Sequence, residues 1–131
     1  VTRPSPFYPL VEAHAFPVPD PPPPIVVGAE SPAGVALAAR IGDGWTTPAP
    51  DLAALLPAYL EALASAGRDR AAQRVVVAFD LAKGATLAGS PWVGDPAGEA
   101  ARWREAGADG AVVGAGSTAD VDLLVGAAAR R

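Results

Sequence analysis

The chain has 131 residues, half of them hydrophobic and 18% charged, with a formal net charge of −4 and no cysteine. That length supports one domain with a real core. The acidic balance argues against a nucleic-acid partner, which needs a basic face, and the lack of cysteine excludes disulfides, thiolate nucleophiles and sulfur-ligated metals.

No apolar run approaches the roughly 20 residues needed to span a bilayer, and the N-terminus lacks the basic and apolar regions of a signal peptide. The chain is therefore expected to be cytoplasmic, with no membrane partner. Of the ten basic residues only Lys83 is lysine; asparagine and methionine are missing, and isoleucine occurs only as Ile25 and Ile41. This is the usage of GC-rich codons. A start at Val1 without any methionine suggests a chain cut from something longer.

Residues 1–24 read as an extended arm, with proline at Pro4, Pro6, Pro9, Pro17, Pro19 and Pro21 to Pro24. Proline fixes φ and removes a donor, so no helix is expected there. From residue 25 to 131 short apolar runs alternate with helical periods. Ile25–Ala29 is apolar on both faces, as a strand buried on both sides should be. Ser31 is placed to cap a helix beginning at Pro32 and ending at Gly42. Trp45–Thr47 makes a second strand. Asp51 is expected to cap a helix carrying Leu52, Leu55, Leu56, Tyr59, Leu60 and Leu63 and stopped by Gly67, with Pro57 forcing a kink near Ala53 or a restart.

Val75–Phe79 is a third strand, followed by a loop through Gly84 and Gly89 to Trp92. Asp95-Pro96 starts another helix, ending at Gly107. Ala111–Val113 is the fourth strand, and Thr118 opens the last helix. Four strand-then-helix units imply an α/β fold with parallel strands in chain order and right-handed crossovers. Four consecutive parallel βα units are half of a (β/α)8 barrel, or else a freestanding open sheet.

Phosphate binding needs backbone N–H groups at a helix N-terminus and small residues that let the anion approach. Gly28, Ala29, Glu30 and Ser31 offer that combination between the first strand and its helix, although the charge of Glu30 opposes an anion unless it points away. Thr46 and Thr47 end the second strand and carry hydroxyls suited to a cofactor or substrate oxygen. Gly114 and Gly116 form a lone Gly-x-Gly, better read as turn chemistry. His14 lies in the arm, and Asp43 is better placed to close a turn than to move a proton. No nucleophile, acid–base pair or metal cluster can be assembled, so no catalytic or metal-binding residue is expected.

The stretch Pro22-Pro23-Pro24-Ile25-Val26-Val27-Gly28-Ala29, followed by Ala36-Leu37-Ala38-Ala39-Arg40-Ile41-Gly42-Asp43-Gly44-Trp45, resembles luciferase-like monooxygenases. Ala66-Gly67-Arg68-Asp69, Val93-Gly94-Asp95-Pro96 and Ala106-Gly107-Ala108-Asp109 extend the likeness over roughly residues 13–128. The proline-rich approach looks most like the branch that uses coenzyme F-420, with FMN as the other cofactor. One departure is Gly28-Ala29, where many relatives have Gly-Gly.

The resemblance implies the C-terminal half of the barrel, gripping the cofactor phosphate of a hydride-transferring oxidoreductase that acts on a small-molecule substrate. It also implies that the groups assisting hydride transfer lie in the other half, so that this chain alone is inactive. A homodimer, or pairing with the missing N-terminal half, is the expected way of covering the open sheet. An FMN-dependent monooxygenase fragment and a non-catalytic remnant are the alternatives.

Overall fold

A computed structural model describes residues 2–14, 18–80 and 86–129. Lys83, the loop read through Gly84, and Pro17 of the arm lie outside the described residues. Four strands, β1 (Val26–Gly28), β2 (Gly44–Pro48), β3 (Arg74–Phe79) and β4 (Gly110–Val113), form one sheet in the order β1-β2-β3-β4. Every neighbouring pair is parallel. The expected α/β fold of four parallel βα units is therefore what the chain adopts.

The connections are α1 (Pro32–Ile41), α2 (Leu52–Ser65), the short α3 (Pro91–Gly94) with α4 (Pro96–Glu105), and α5 (Thr118–Ala128). Ser31 caps α1 as its sequence suggests, its Oγ accepting from Gly34 N at 3.3 Å. Asp95 does the same for α4, Oδ1 accepting from Gly98 N at 2.9 Å. The stops are as expected too: Gly67 and Gly107 hold φ of +65° and +99°, which glycine adopts without penalty.

Asp51 departs from its expected role, and of the two outcomes expected at Pro57 the restart does not occur. Asp51 makes no side-chain cap; it closes a 3-10 turn, Ala49–Asp51, that leads straight into α2. Pro57 does not restart the helix, because α2 is continuous from Leu52 to Ser65. Pro57 stands in the second turn, where it forfeits the bond to the Ala53 carbonyl, and the burial of Leu52, Tyr59 and Leu63 in the core offsets that loss. Between Leu87 and Trp92 the expected loop contains a 3-10 turn and α3. In the arm the described residues hold no helix, only an antiparallel bridge between Arg3 and Leu10.

The core lies between the sheet and its helices. Register aligns Val27 with Trp45 and Val75, and Thr47 with Val77, on the helix-covered side. Trp45, Val75, Val77 and Tyr59 are fully buried, and the Trp45 and Tyr59 rings meet at 5.0 Å. Trp45 also donates its Nε1 proton to the Ala29 carbonyl at 2.9 Å, tying the end of β1 to β2. Burial raises the Tyr59 phenol above its ordinary pKa, partly opposed by Arg70 and Arg68.

At the N-terminal ends of the strands the same device appears twice. Asp43 Oδ2 accepts from Ile25 N at 2.8 Å while Asp43 N donates to Ile25 O at 2.7 Å. Asp109 Oδ2 accepts from Val75 N at 2.7 Å while Asp109 N donates to Val75 O at 2.7 Å. Each Asp-Gly pair thus satisfies the backbone at the start of the preceding strand. Asp43 sits at a strand entrance, as its sequence context suggests, but its bonds reach across to Ile25 rather than closing a local turn.

Candidate functional site

The C-terminal ends of the strands collect the residues suited to binding. Gly28 ends β1 on the open face of the sheet, beside Thr46 in register. A Cβ built on Gly28 would meet only the Thr46 methyl, at 3.8 Å. Packing among the described residues therefore does not require glycine there, and no other described atom lies within 4 Å of that position. Gly34 is different, since a Cβ there would come within 3.0 Å of Ala29 Cβ and 3.3 Å of Ser31 Oγ. Its smallness lets the first turn of α1 sit against the loop.

Ala29 is turned toward the core and its N–H donates to the Thr46 carbonyl at 3.0 Å, so that amide is spent. The N–H groups of Glu30, Ser31 and Ala33 have no acceptor among the described residues, and Pro32 has no N–H to satisfy. Glu30 and Ser31 are both exposed. The loop thus presents three free amides at the N-terminus of a ten-residue helix, the arrangement that suits an anion.

Thr46 and Thr47 are not equivalent. Adjacent strand residues point to opposite faces; Thr46 is on the open face beside Gly28, whereas Thr47 is turned toward the helices and only 2% exposed. The Thr47 hydroxyl is buried without a hydrogen-bond partner among the described residues. The structure brings Gly28, Glu30, Ser31 and Thr46 to one mouth and leaves Ala29 and Thr47 behind it. Gly114 donates its N–H to the Phe79 carbonyl at 2.9 Å, extending the β3–β4 ladder, and Gly116 donates to Asp120 Oδ2 at 3.1 Å at the start of α5. His14 is an exposed arm residue. Among the described residues no group of His, Cys, Asp and Glu is arranged to hold a metal ion, and no helix is long and apolar enough to cross a membrane.

Sequence reasoning missed a 410 Å3 cavity beside this mouth, lined by Pro48, Ala49, Pro50, Ala78, Phe79, Asp80 and Trp103. Two aromatic rings of its wall, Phe79 and Trp103, meet edge to face at 5.0 Å, and Phe79 also meets Trp92, outside the lining, at 5.2 Å. Trp103 is held by Glu99, whose Oε1 accepts from Trp103 Nε1 at 2.8 Å and from Arg102 Nη2 at 2.6 Å. The Arg102 hydrogen bond, helped by that of Trp103, holds the Glu99 carboxyl below its ordinary pKa against the opposing effect of burial. The Glu99–Arg102 spacing of three residues on one helix was the available signal.

The family described as luciferase-like monooxygenase matches residues 2–88, the proline-rich arm included. No curated protein matches. Among solved structures, an F-420-dependent secondary alcohol dehydrogenase in complex with an F-420–acetone adduct is 25% identical with a TM-score of 0.49. The match covers 60% of this chain and 25% of that one. With two thirds of its length matched by the family, the chain belongs to the luciferase-like monooxygenases.

Proposed function

We propose that this chain forms the C-terminal half of a luciferase-like (β/α)8 barrel and holds the phosphate of coenzyme F-420, with FMN as the alternative, in a hydride-transferring oxidoreductase. Family membership supports the oxidoreductase class. The observation that carries the phosphate site is the β1–α1 loop, with free amides at Glu30, Ser31 and Ala33 beside the unfilled space at Gly28. Those amides would bind the phosphate oxygens, and Thr46 would offer its hydroxyl from the neighbouring strand. The Glu30 carboxylate is exposed and free to turn to solvent. When bound, the cofactor supplies the hydride chemistry itself, and the protein contributes orientation and electrostatics. The groups assisting transfer are assigned to the other half of the barrel, so this chain alone is expected to be inactive.

The test is a titration of the complete barrel with F-420 and with FMN, before and after Gly28→Val. Since a Cβ at Gly28 has room, the variant should fold, while its branched side chain occupies the anion's space. Loss of one charge-assisted hydrogen bond is worth roughly 1.5–3 kcal/mol, about tenfold or more in affinity. Substitution of Gly114 or Gly116 should cost less. If Gly28→Val binds both cofactors as the parent does, the phosphate sits elsewhere.

A further inference from the structure

The amides that suit a phosphate belong to the β1–α1 loop, whereas the 410 Å3 cavity at the C-terminal ends of β2 and β3 offers a different chemistry. Pro48 and Ala78 stand side by side in register, two residues further along their strands than Thr46 and Val76 and on the same face. Pro48 and Pro50 bring rigid rings and no N–H, and Phe79 and Trp103 bring aromatic surface. Within the described lining Asp80 is the one ionisable side chain. Its carboxyl has no hydrogen-bond or ion-pair partner among the described residues.

These walls are fixed before any ligand arrives. Glu99 accepts from Trp103 Nε1 at 2.8 Å, Phe79 meets the Trp103 ring at 5.0 Å, and the Ala49–Asp51 3-10 turn holds Pro50. A preformed wall costs a ligand little ordering. The volume falls within the range of small-molecule sites, and a cavity of about 150 Å3 already accepts a benzene ring. An anion here would meet the Asp80 charge, with no amide from either proline to offset it. Arg102 lies over the Trp103 ring at 4.7 Å, but its guanidinium is paired with Glu99 at 2.6 Å. An unpartnered acceptor beside apolar surface is completed by a donor.

We propose that this cavity receives a small molecule with a ring or branched apolar body and one hydroxyl or amino group that donates to Asp80; that the molecule is a substrate rests on the oxidoreductase reading above. The apolar body packs against Pro48, Pro50, Phe79 and Trp103, where burial supplies the affinity. Asp80 selects the polar end, so phosphorylated and carboxylated substrates are rejected at this position.

The test is a titration of this chain with benzylamine, benzyl alcohol, benzoate and phenyl phosphate, followed by the indole N–H signals of its three tryptophans in proton–nitrogen NMR spectra. The Trp103 signal and the Asp80 amide should move. Trp45, sealed in the core, should not, and so reports the fold of each variant. Because Asp80 is exposed, benzylamine should bind about fivefold more tightly than benzoate or phenyl phosphate, the advantage fading at high salt. Asp80→Asn should level amine and anions while leaving benzyl alcohol nearly unchanged, and Asp80→Lys should reverse the order. Anions that bind as tightly as benzylamine, or shifts that miss Trp103, would overturn the proposal. Inorganic phosphate, titrated in parallel, separates the two sites. If phosphate leaves the Glu30 and Ser31 amides unmoved while benzylamine still moves Trp103, the phosphate reading fails and the cavity stands; the reverse pattern keeps the phosphate site and overturns the cavity.

Discussion

On the helix-covered face of the sheet Trp45, Val75 and Val77 are wholly buried, whereas one step along neighbouring strands Val26 and Val112 remain 43% and 58% exposed on the other face. Apolar residues of similar hydrophobicity thus have opposite environments. Apolar character on both faces is the habit of parallel sheets, and among the described residues one face is covered far better than the other. The helix-covered face carries the chain's own stability.

The largest expected effect tests that division. Trp45→Ala should cost about 3–5 kcal/mol, because it removes the centre of the core and the bond to the Ala29 carbonyl. Val112→Ala should change stability by about 0.5 kcal/mol or less. Thermal unfolding followed by circular dichroism measures both, and a large loss at Val112 would mean that its face is already covered.

A second pair sharpens the comparison at the glycines. A Cβ on Gly44 would lie 2.5 Å from the Arg74 carbonyl oxygen, so Gly44→Ala must push β2 away from β3 and should cost about 1–3 kcal/mol. Gly28→Ala makes only an ordinary contact with the Thr46 methyl, at 3.8 Å, and should leave the melting temperature nearly unchanged. Equal losses at the two positions would show that Gly28 is needed for the fold.

The smallest effect concerns Glu99. Its folded carboxyl titrates below the unfolded one, so its contribution is present above the unfolded value, near pH 4.5, and disappears as pH falls through the lowered folded value. Tryptophan fluorescence should report the release of Trp103 below pH 4.5, and Glu99→Gln should remove that acid transition. If the transition persists in the variant, the Trp103 contact is not what titrates.

Much of the fold was readable residue by residue. Ser31-Pro32 and Asp95-Pro96 mark helix starts because a short acceptor side chain and a donorless proline both suit the first turn. Gly67 and Gly107 mark ends because they adopt positive φ. Asp51 misled, and the helix does not restart at Pro57, because local rules weigh caps and missing donors, while the burial of Leu52, Tyr59 and Leu63 decides that α2 runs through. The β1–α1 loop was visible as small residues before a helix start. Thr46 and Thr47 were adjacent in sequence and apparently alike, but strand alternation sends one to the mouth and the other into the core.

The sequence by itself determined the number, type and order of the βα units, since hydrophobic period, capping residues and glycine stops are local properties. It also determined the family, through words such as Pro22-Pro23-Pro24-Ile25 and Asp43-Gly44-Trp45. Only the tertiary structure decided which alternate residues of each strand are buried and that Asp43 and Asp109 pin strand starts. It also decided that Trp92 and Trp103 gather around Phe79, with Glu99 holding Trp103. These are contacts between segments far apart in the chain, and they exist only once parallel register has fixed which residues stand side by side.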